Sequence, residues 1–354
     1  MSVSKLKTAP VDSQLLRWVP LVLTFCLTGC SSYFGQLALG QVELLRQREP
    51  IAPLLDDVQT DPGLRQRLAL ALRARAFASR ALGLPDNGSY RVYADIQRPF
   101  VVWNVFATEA FSVAPLQHCF PIAGCVAYRG YFQPGRARGA AALLQAQGYD
   151  TQVAGVQAYS TLGWFDDPLL SSMLRWDDDY LAGLIFHELA HQRLYVAGDT
   201  AFNESFATFV EREGLRQWRA SRGLPPPNEF SSKQYADFSR LVLATRDRLA
   251  AIYASDLSEP AMRAAKREAF MHMRKAYRQL RDGPWHGDRR FDRWMAQPLN
   301  NASLVPFGLY DHWVPAFEAL FEQAGGDWQQ FYAEVAALSR LPADERNHRL
   351  EALR

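Results

Sequence analysis

The sequence predicts an α+β fold, with a small sheet ahead of a central helix and a mostly helical C-terminal part. Three observations carry that expectation. Short runs rich in β-branched and aromatic residues cluster between residues 90 and 159. Leu181, Leu184, Ile185, Leu189 and Tyr195 then keep a helical apolar spacing, with Asp177 or Asp178 able to cap the start and Gly198 suited to the end. Beyond Glu213 the texture is helical and is broken by Leu224-Pro225-Pro226-Pro227, a linker or hinge.

In chain order, residues 35–82 are helix-rich, with Leu64, Leu68 and Leu72 four apart, and Leu84 to Gly88 is a turn. Strands are expected at Tyr90–Ala94, Val101–Ala107, Ser112–Leu116, within Ile122–Phe132 and at Thr151–Tyr159, with a helix at Ala137–Gln147 between the last two. After the central helix, Gly198 and Asp199 turn the chain into a second helix containing Phe202 to Glu211. The Ala- and Arg-rich stretch Glu259–Leu280 is a further helix packed on the body. The expected organisation is residues 1–29 as a signal segment, 30–220 as N-terminal helices, sheet and central helices, and 221–354 as a helical C-terminal subdomain.

Lys5, Lys7 and Arg17 precede an apolar run from Trp18 to Leu27, which Pro20 interrupts. That run is far short of the roughly 20 residues needed to span a bilayer, so it reads as a secretory signal. Leu27-Thr28-Gly29-Cys30 resembles the bacterial lipobox, in which the cysteine is lipidated and becomes the mature N-terminus. Ser31 follows instead of an Asp, so the resemblance implies an outer-membrane lipoprotein facing the periplasm. With Cys26 removed and Cys30 acylated, only Cys119 and Cys125 remain, and in an oxidising compartment they should form a disulfide. His118 beside them makes a poor Cys/His metal site, since no second cysteine pair accompanies it. Net charge is +2, with acidic residues matching basic ones and no long basic run, which argues against a nucleic-acid partner.

The chemistry is concentrated in His187-Glu188-Leu189-Ala190-His191. Residues four apart on a helix stand one above the other, so both imidazoles can reach one zinc ion. Glu188 sits beside that ion, where a carboxylate can take a proton from water as general base. A catalytic zinc takes three protein ligands, and Glu204 in Phe202-Asn203-Glu204-Ser205-Phe206-Ala207 is the third candidate. The alternative for Glu204 is an exposed first-turn carboxylate favoured by the helix dipole. Glu211 shares that helix face and is expected to be a solvated carboxylate, with partnership to a zinc histidine as the alternative.

HELAH followed by NESFA resembles the gluzincin metallopeptidases, in which HExxH and a downstream Glu bind zinc. A closer likeness is to the putative zinc aminopeptidase family of proteobacterial lipoproteins. It runs through Cys119–Cys125, Tyr128–Phe132, Ala158–Pro168 and Asn300-Asn301-Ala302. The resemblance implies a zincin-like fold, one zinc per chain and hydrolysis of peptides by an aminopeptidase. Rival readings are a periplasmic endopeptidase of envelope quality control and a non-catalytic zincin-fold binding lipoprotein. Many gluzincins place an Asp four residues after the Glu ligand to orient a zinc histidine; here that position is Thr208, so another acceptor must do so. Tyr310 and His312 are candidates for stabilising a tetrahedral oxyanion, against the alternative of buried, hydrogen-bonded side chains. Tyr128–Phe132 is either a sheet edge beside the cleft or a core strand, and Asn300-Asn301 either caps a helix or fixes a loop near the cleft.

Overall fold

The computed structural model of the chain describes residues 33–120, 124–158 and 160–354. Cys30 and the signal segment lie outside the described residues, as do the three residues between Phe120 and Gly124. Two compact units are present. The first, Met1–Arg46, contributes one described helix over residues 33–46 (α1). The second, Gln47–Arg354, holds everything that follows. No helix among the described residues is long and apolar enough to cross a membrane.

The second unit is α+β, with three small sheets. The seven-residue strand β3 (Val102–Thr108) lies at the centre of one of them. It pairs antiparallel with β6 (Arg129–Tyr131) on one side and β7 (Asp150–Val156) on the other. A second sheet joins β1 (Arg48–Pro50), β2 (Val92–Ala94) and β8 (Leu169–Leu170). The third is a hairpin of β4 (His118–Phe120) and β5 (Gly124–Val126), in which Cys119 and Cys125 are direct partners and form a disulfide. The expected strand at Ser112–Leu116 does not form. Only an isolated bridge joins Thr108 to Pro115, because proline has no N–H to give and the Ala114 N–H is taken by the Ser112 hydroxyl.

Helices account for the rest. α2 (Ile51–Asp56) and α3 (Pro62–Ala81) lead to the turn at 84–88, which the buried Arg75 holds by donating to the carbonyls of Pro85, Asn87 and Ser89. α4 (Pro134–Ala146) packs on β3 and β7. α5 (Asp178–Arg193) starts at its Asp177 cap, whose carboxylate accepts from the Tyr180 N–H at 2.8 Å, with Asp178 and Asp179 matching the dipole in the first turn. It ends at Arg193, before Gly198, because Leu194 is extended and Gly198 (φ +84°) serves the following turn instead. Nearly every residue from Leu181 to His191 is buried, so α5 is enclosed on all sides rather than amphipathic. α6 (Thr200–Ser221) packs against it.

The C-terminal helices are α7 (Glu229–Tyr253), α8 (Glu259–Asp282), α9 (Asp292–Met295), α10 (Asn301–Tyr310), α11 (Val314–Gln323), α12 (Trp328–Ser339) and α13 (Ala343–Glu351). Phe206 and Phe209 of α6 pack on Phe317, Phe321 and Phe331 of α11 and α12, an aromatic cluster that fixes one face of α6. α10 lies across the sheet, with Ala302, Val305 and Leu309 against Phe106 of β3.

Asn300 and Asn301 divide two roles, the expected cap and a tie to the loop at 109–112, which is not among the residues lining the cleft described below. Asn300 caps α10 in a reciprocal box with Ser303. The buried Asn301 side chain donates to the Ala110 and Ser112 carbonyls at 3.1 and 2.9 Å and accepts from the Tyr253 hydroxyl at 2.9 Å. It thereby ties α10 to the loop after β3 and to α7. Replacing Asn301 by Ala leaves those buried groups unsatisfied and should cost about 3 kcal/mol, against about 1 kcal/mol for Asn300→Ala, where only a cap is lost. Urea unfolding of both variants checks this, and equal losses would contradict the assigned roles.

Candidate metal centre

The two histidines stand one helical turn apart on α5, and their rings meet at 4.9 Å between centroids. Three consecutive residues of α6 complete the centre, each facing a different neighbour. Asn203 clasps the turn between the helices: its Oδ1 accepts from the Val196 N–H and its Nδ2 donates to the Val196 carbonyl, both at 2.8 Å. Glu204 turns its carboxylate to the histidines. The Ser205 hydroxyl donates to the Leu309 carbonyl at 2.9 Å and accepts from the Trp313 N–H at 3.1 Å, which fixes the end of α10 and so Tyr310.

The donor atoms converge. His187 Nε2 and His191 Nε2 lie 3.2 Å apart, and Glu204 Oε2 is 3.4 Å from each. Zinc bonds of about 2.0–2.1 Å at tetrahedral angles require ligand atoms roughly 3.3–3.4 Å apart, so this triangle has the right edges. Glu204 Oε2 is buried and accepts no hydrogen bond among the described residues, an arrangement that a cation satisfies. His187, His191 and Glu204 are the group able to hold a metal ion among the described residues. The residues fit a zinc ion on geometry, donor set and the orphaned oxygen.

The three groups interact strongly with one another. Burial disfavours the charged form of His187, but the Glu204 and Glu211 carboxylates outweigh it and push the imidazole up to about 10. Burial likewise opposes ionisation of Glu204, yet His191 and His187 hold it down at about 2. Glu188 moves the other way: burial pushes it up to about 7 and the histidines only partly oppose this.

Glu211 is not the solvated carboxylate expected. Its Oε2 lies 3.0 Å from His187 Nδ1, so it is the acceptor that fixes that ring, in place of the absent carboxylate at Thr208. The approach is close because α5 carries Gly183 opposite; a Cβ there would come within 3.2 Å of the Glu211 Cγ. Thr208 instead lines the cleft.

The cleft encloses about 470 Å³ and is lined by His187, Glu188, Thr208, Glu211, Arg212, Tyr180, Tyr235, Tyr310 and the segment Val156–Ala158. Glu188 faces it without any hydrogen bond among the described residues. The Tyr310 ring stacks on His187 at 6.0 Å, and burial together with Glu204 and Tyr128 pushes its hydroxyl far above the ordinary range, so it stays protonated as a donor. His312 is not part of this cleft. It packs on Trp313 and lines a separate cavity of about 280 Å³ with Thr200 and Arg246.

Tyr128–Phe132 supplies the edge strand β6, but the segment lining the cleft is Val156–Ala158, the last residue of β7 and the two that follow it, on the opposite edge. Gln157, Tyr180, Arg212 and Tyr235 were not foreseen as cleft residues. Arg212 and Glu211 share the Glu204 face of α6, so helical spacing was the available signal for both.

The disulfide hairpin bears on the same centre. Gly124 (φ +71°) lies against the turn joining α5 to α6, where a Cβ would sit 2.5 Å from the Gly198 nitrogen. Only a glycine permits that approach and that backbone.

A family described as Putative aminopeptidase matches residues 32–350, and the chain belongs to it. No curated protein and no solved structure matches the chain.

Removing the Glu211 carboxylate should loosen His187 without deleting a ligand. Metal affinity of Glu211→Ala, measured by competition with a chromophoric chelator, should fall about ten- to a hundredfold. An unchanged affinity would show that the 3.0 Å contact has no orienting role.

Proposed function

We propose that the protein is a zinc-dependent peptidase of zincin-like fold, acting as an aminopeptidase on peptides in the bacterial periplasm. The observation that carries the reading is the His187–His191–Glu204 triangle with Glu188 beside it, bordering through His187 and Glu188 a cleft of about 470 Å³. Membership of the putative aminopeptidase family supports the same substrate class. His187, His191 and Glu204 would hold the ion, with Glu211 fixing His187. A zinc ion held there supplies the Lewis acidity that makes water nucleophilic at neutral pH and polarises a carbonyl.

The remaining steps fall to the chain's own residues. Glu188 accepts a proton as water oxygen bonds to the scissile carbonyl carbon, and later delivers it to the departing nitrogen as the C–N bond breaks. Burial suits Glu188 to this exchange, because it raises the basicity of the carboxylate. The protonated Tyr310 hydroxyl donates toward the carbonyl oxygen as negative charge develops there.

Three proteins test the assignment together. Wild type should carry about one zinc per chain by metal analysis, and Glu204→Ala should lose it. Glu188→Gln should keep its zinc and lose hydrolysis by at least about a hundredfold, since general base catalysis alone is worth that much. Normal turnover in Glu188→Gln, or a full complement of zinc in Glu204→Ala, sinks the mechanism. Free and N-acetylated peptides, with and without chelator, decide the mode: an aminopeptidase cleaves only the free-amine set.

The N-terminal sequence supports anchoring through lipid on Cys30, with the catalytic unit facing the periplasm from the outer membrane. Multiple acyl chains hold firmly where a single chain is marginal. Cys30→Ser should therefore move the protein from the membrane fraction to the soluble one or leave it unprocessed. A correctly processed, membrane-bound variant overturns the anchor.

A further inference from the structure

Arg212 has no part in the mechanism above, yet it forms a wall of the cleft. Its Nη2 donates to Asp311 at 2.6 Å, and Asp311 also accepts from the hydroxyls of Tyr235 and Ser239, each at 3.3 Å. Asp311 is buried, whereas the Arg212 side chain keeps 40% of its surface exposed. The guanidinium lies over the Tyr235 ring at 5.3 Å, and its Nε and Nη1 make no hydrogen bond among the described residues. A planar fork of five donors is thus clamped at one corner and left with donors to spare. The carboxylates that share the cleft, Glu188 and Glu211, are acidic, and Arg212 is the one arginine or lysine among the residues lining it.

Position sets the reach. Glu204 and Arg212 lie on the same helix two turns apart, about 12 Å along the axis at about 1.5 Å per residue. An extended peptide advances about 3.4 Å per residue, so that span corresponds to about three residues, less the lean of the arginine toward the helix N-terminus. Asp311 follows Tyr310 directly, so the contact that fixes Arg212 is continuous with the one that presents the Tyr310 hydroxyl.

We propose that Arg212 is a specificity-determining residue that binds a substrate carboxylate lying within about three residues of the scissile bond. This rests on the peptidase reading and narrows its substrate class to short peptides bearing a nearby carboxylate, either the free C-terminus or an acidic side chain. The Asp311 clamp lowers the ordering cost of binding, because the guanidinium is already held in place.

The test uses the zinc-loaded Glu188→Gln protein, with and without Arg212→Ala or Arg212→Lys, and reads binding by calorimetry. The probes are tri- and tetrapeptides with free or amidated C-termini, together with amidated pairs that differ only as Asp against Asn. Arg212→Ala should weaken binding of carboxylate-bearing probes about ten- to a hundredfold, as expected for a charge-assisted hydrogen bond. The Arg212→Lys protein should fall between, and the amidated Asn probes should bind equally to all three. A response to the free terminus alone assigns the carboxylate to the chain end; a response to Asp alone assigns it to a side chain. Equal weakening of every probe would make Arg212 a structural tie between helices and overturn the proposal, as would no weakening. Carboxylate-selective binding in a protein whose wild type cleaves nothing would remove the peptidase reading and leave the subsite standing. Cleavage by wild type without Arg212-dependent selectivity would do the reverse, and binding of no probe would remove both.

Discussion

Two imidazoles and a carboxylate share one buried point, and that crowding is the constraint around which the rest is built. Their Nε2 and Oε2 atoms lie 3.2 to 3.4 Å apart with little access to water. A buried carboxylate oxygen with no donor is costly unless a positive charge faces it, so small movements of any of the three groups carry a large electrostatic penalty. The surroundings answer that demand with rigidity. α5 is enclosed on every side, Asn203 clasps the turn through both of its amide atoms, and the aromatic cluster of α11 and α12 locks the opposite face of α6.

The carboxylate that meets His187 stands seven residues after Glu204, not at the fourth position, where the resemblance implied an acceptor and the chain has Thr208. The orienting carboxylate must reach the outer nitrogen of His187, and either one or nearly two turns beyond Glu204 places a side chain on the correct face of α6. Glu at 211 has one more methylene than Asp, and Gly183 opposite brings the helices close enough for it to arrive. With Glu211 in that place, Thr208 forms part of the cleft wall.

What was legible in the sequence is what local geometry controls. His187, Glu188 and His191 follow from helical periodicity alone, and Glu204 needed only a short turn to bring the next helix back. The Asp177 and Asn300 caps and most of the strand and helix sequence were readable because they depend on neighbours a few residues away. The failures are non-local. Glu211 and Arg212 could be placed on a face, but what that face meets depends on how α6 crosses α5 and α10. The place of Tyr128–Phe132 stayed open between cleft edge and core because a three-stranded sheet has two edges, and periodicity does not say which one abuts the centre. Ser112–Leu116 had strand composition but lacked a free donor at the position where pairing would start. His312, two residues from Tyr310, lies past the end of α10 and faces a different cavity.

The contact between Gly124 and Gly198 links thiol chemistry to metal geometry although no cysteine is a ligand. The hairpin behind that contact pairs only three residues per strand, too few to hold itself firmly without its cross-link. Once Cys119 and Cys125 are joined, the hairpin becomes a stiff wedge against the turn that separates the histidine helix from the glutamate helix. A bond between two cysteines that are not candidate ligands thereby bears on the turn joining the two helices that carry the candidate ligands.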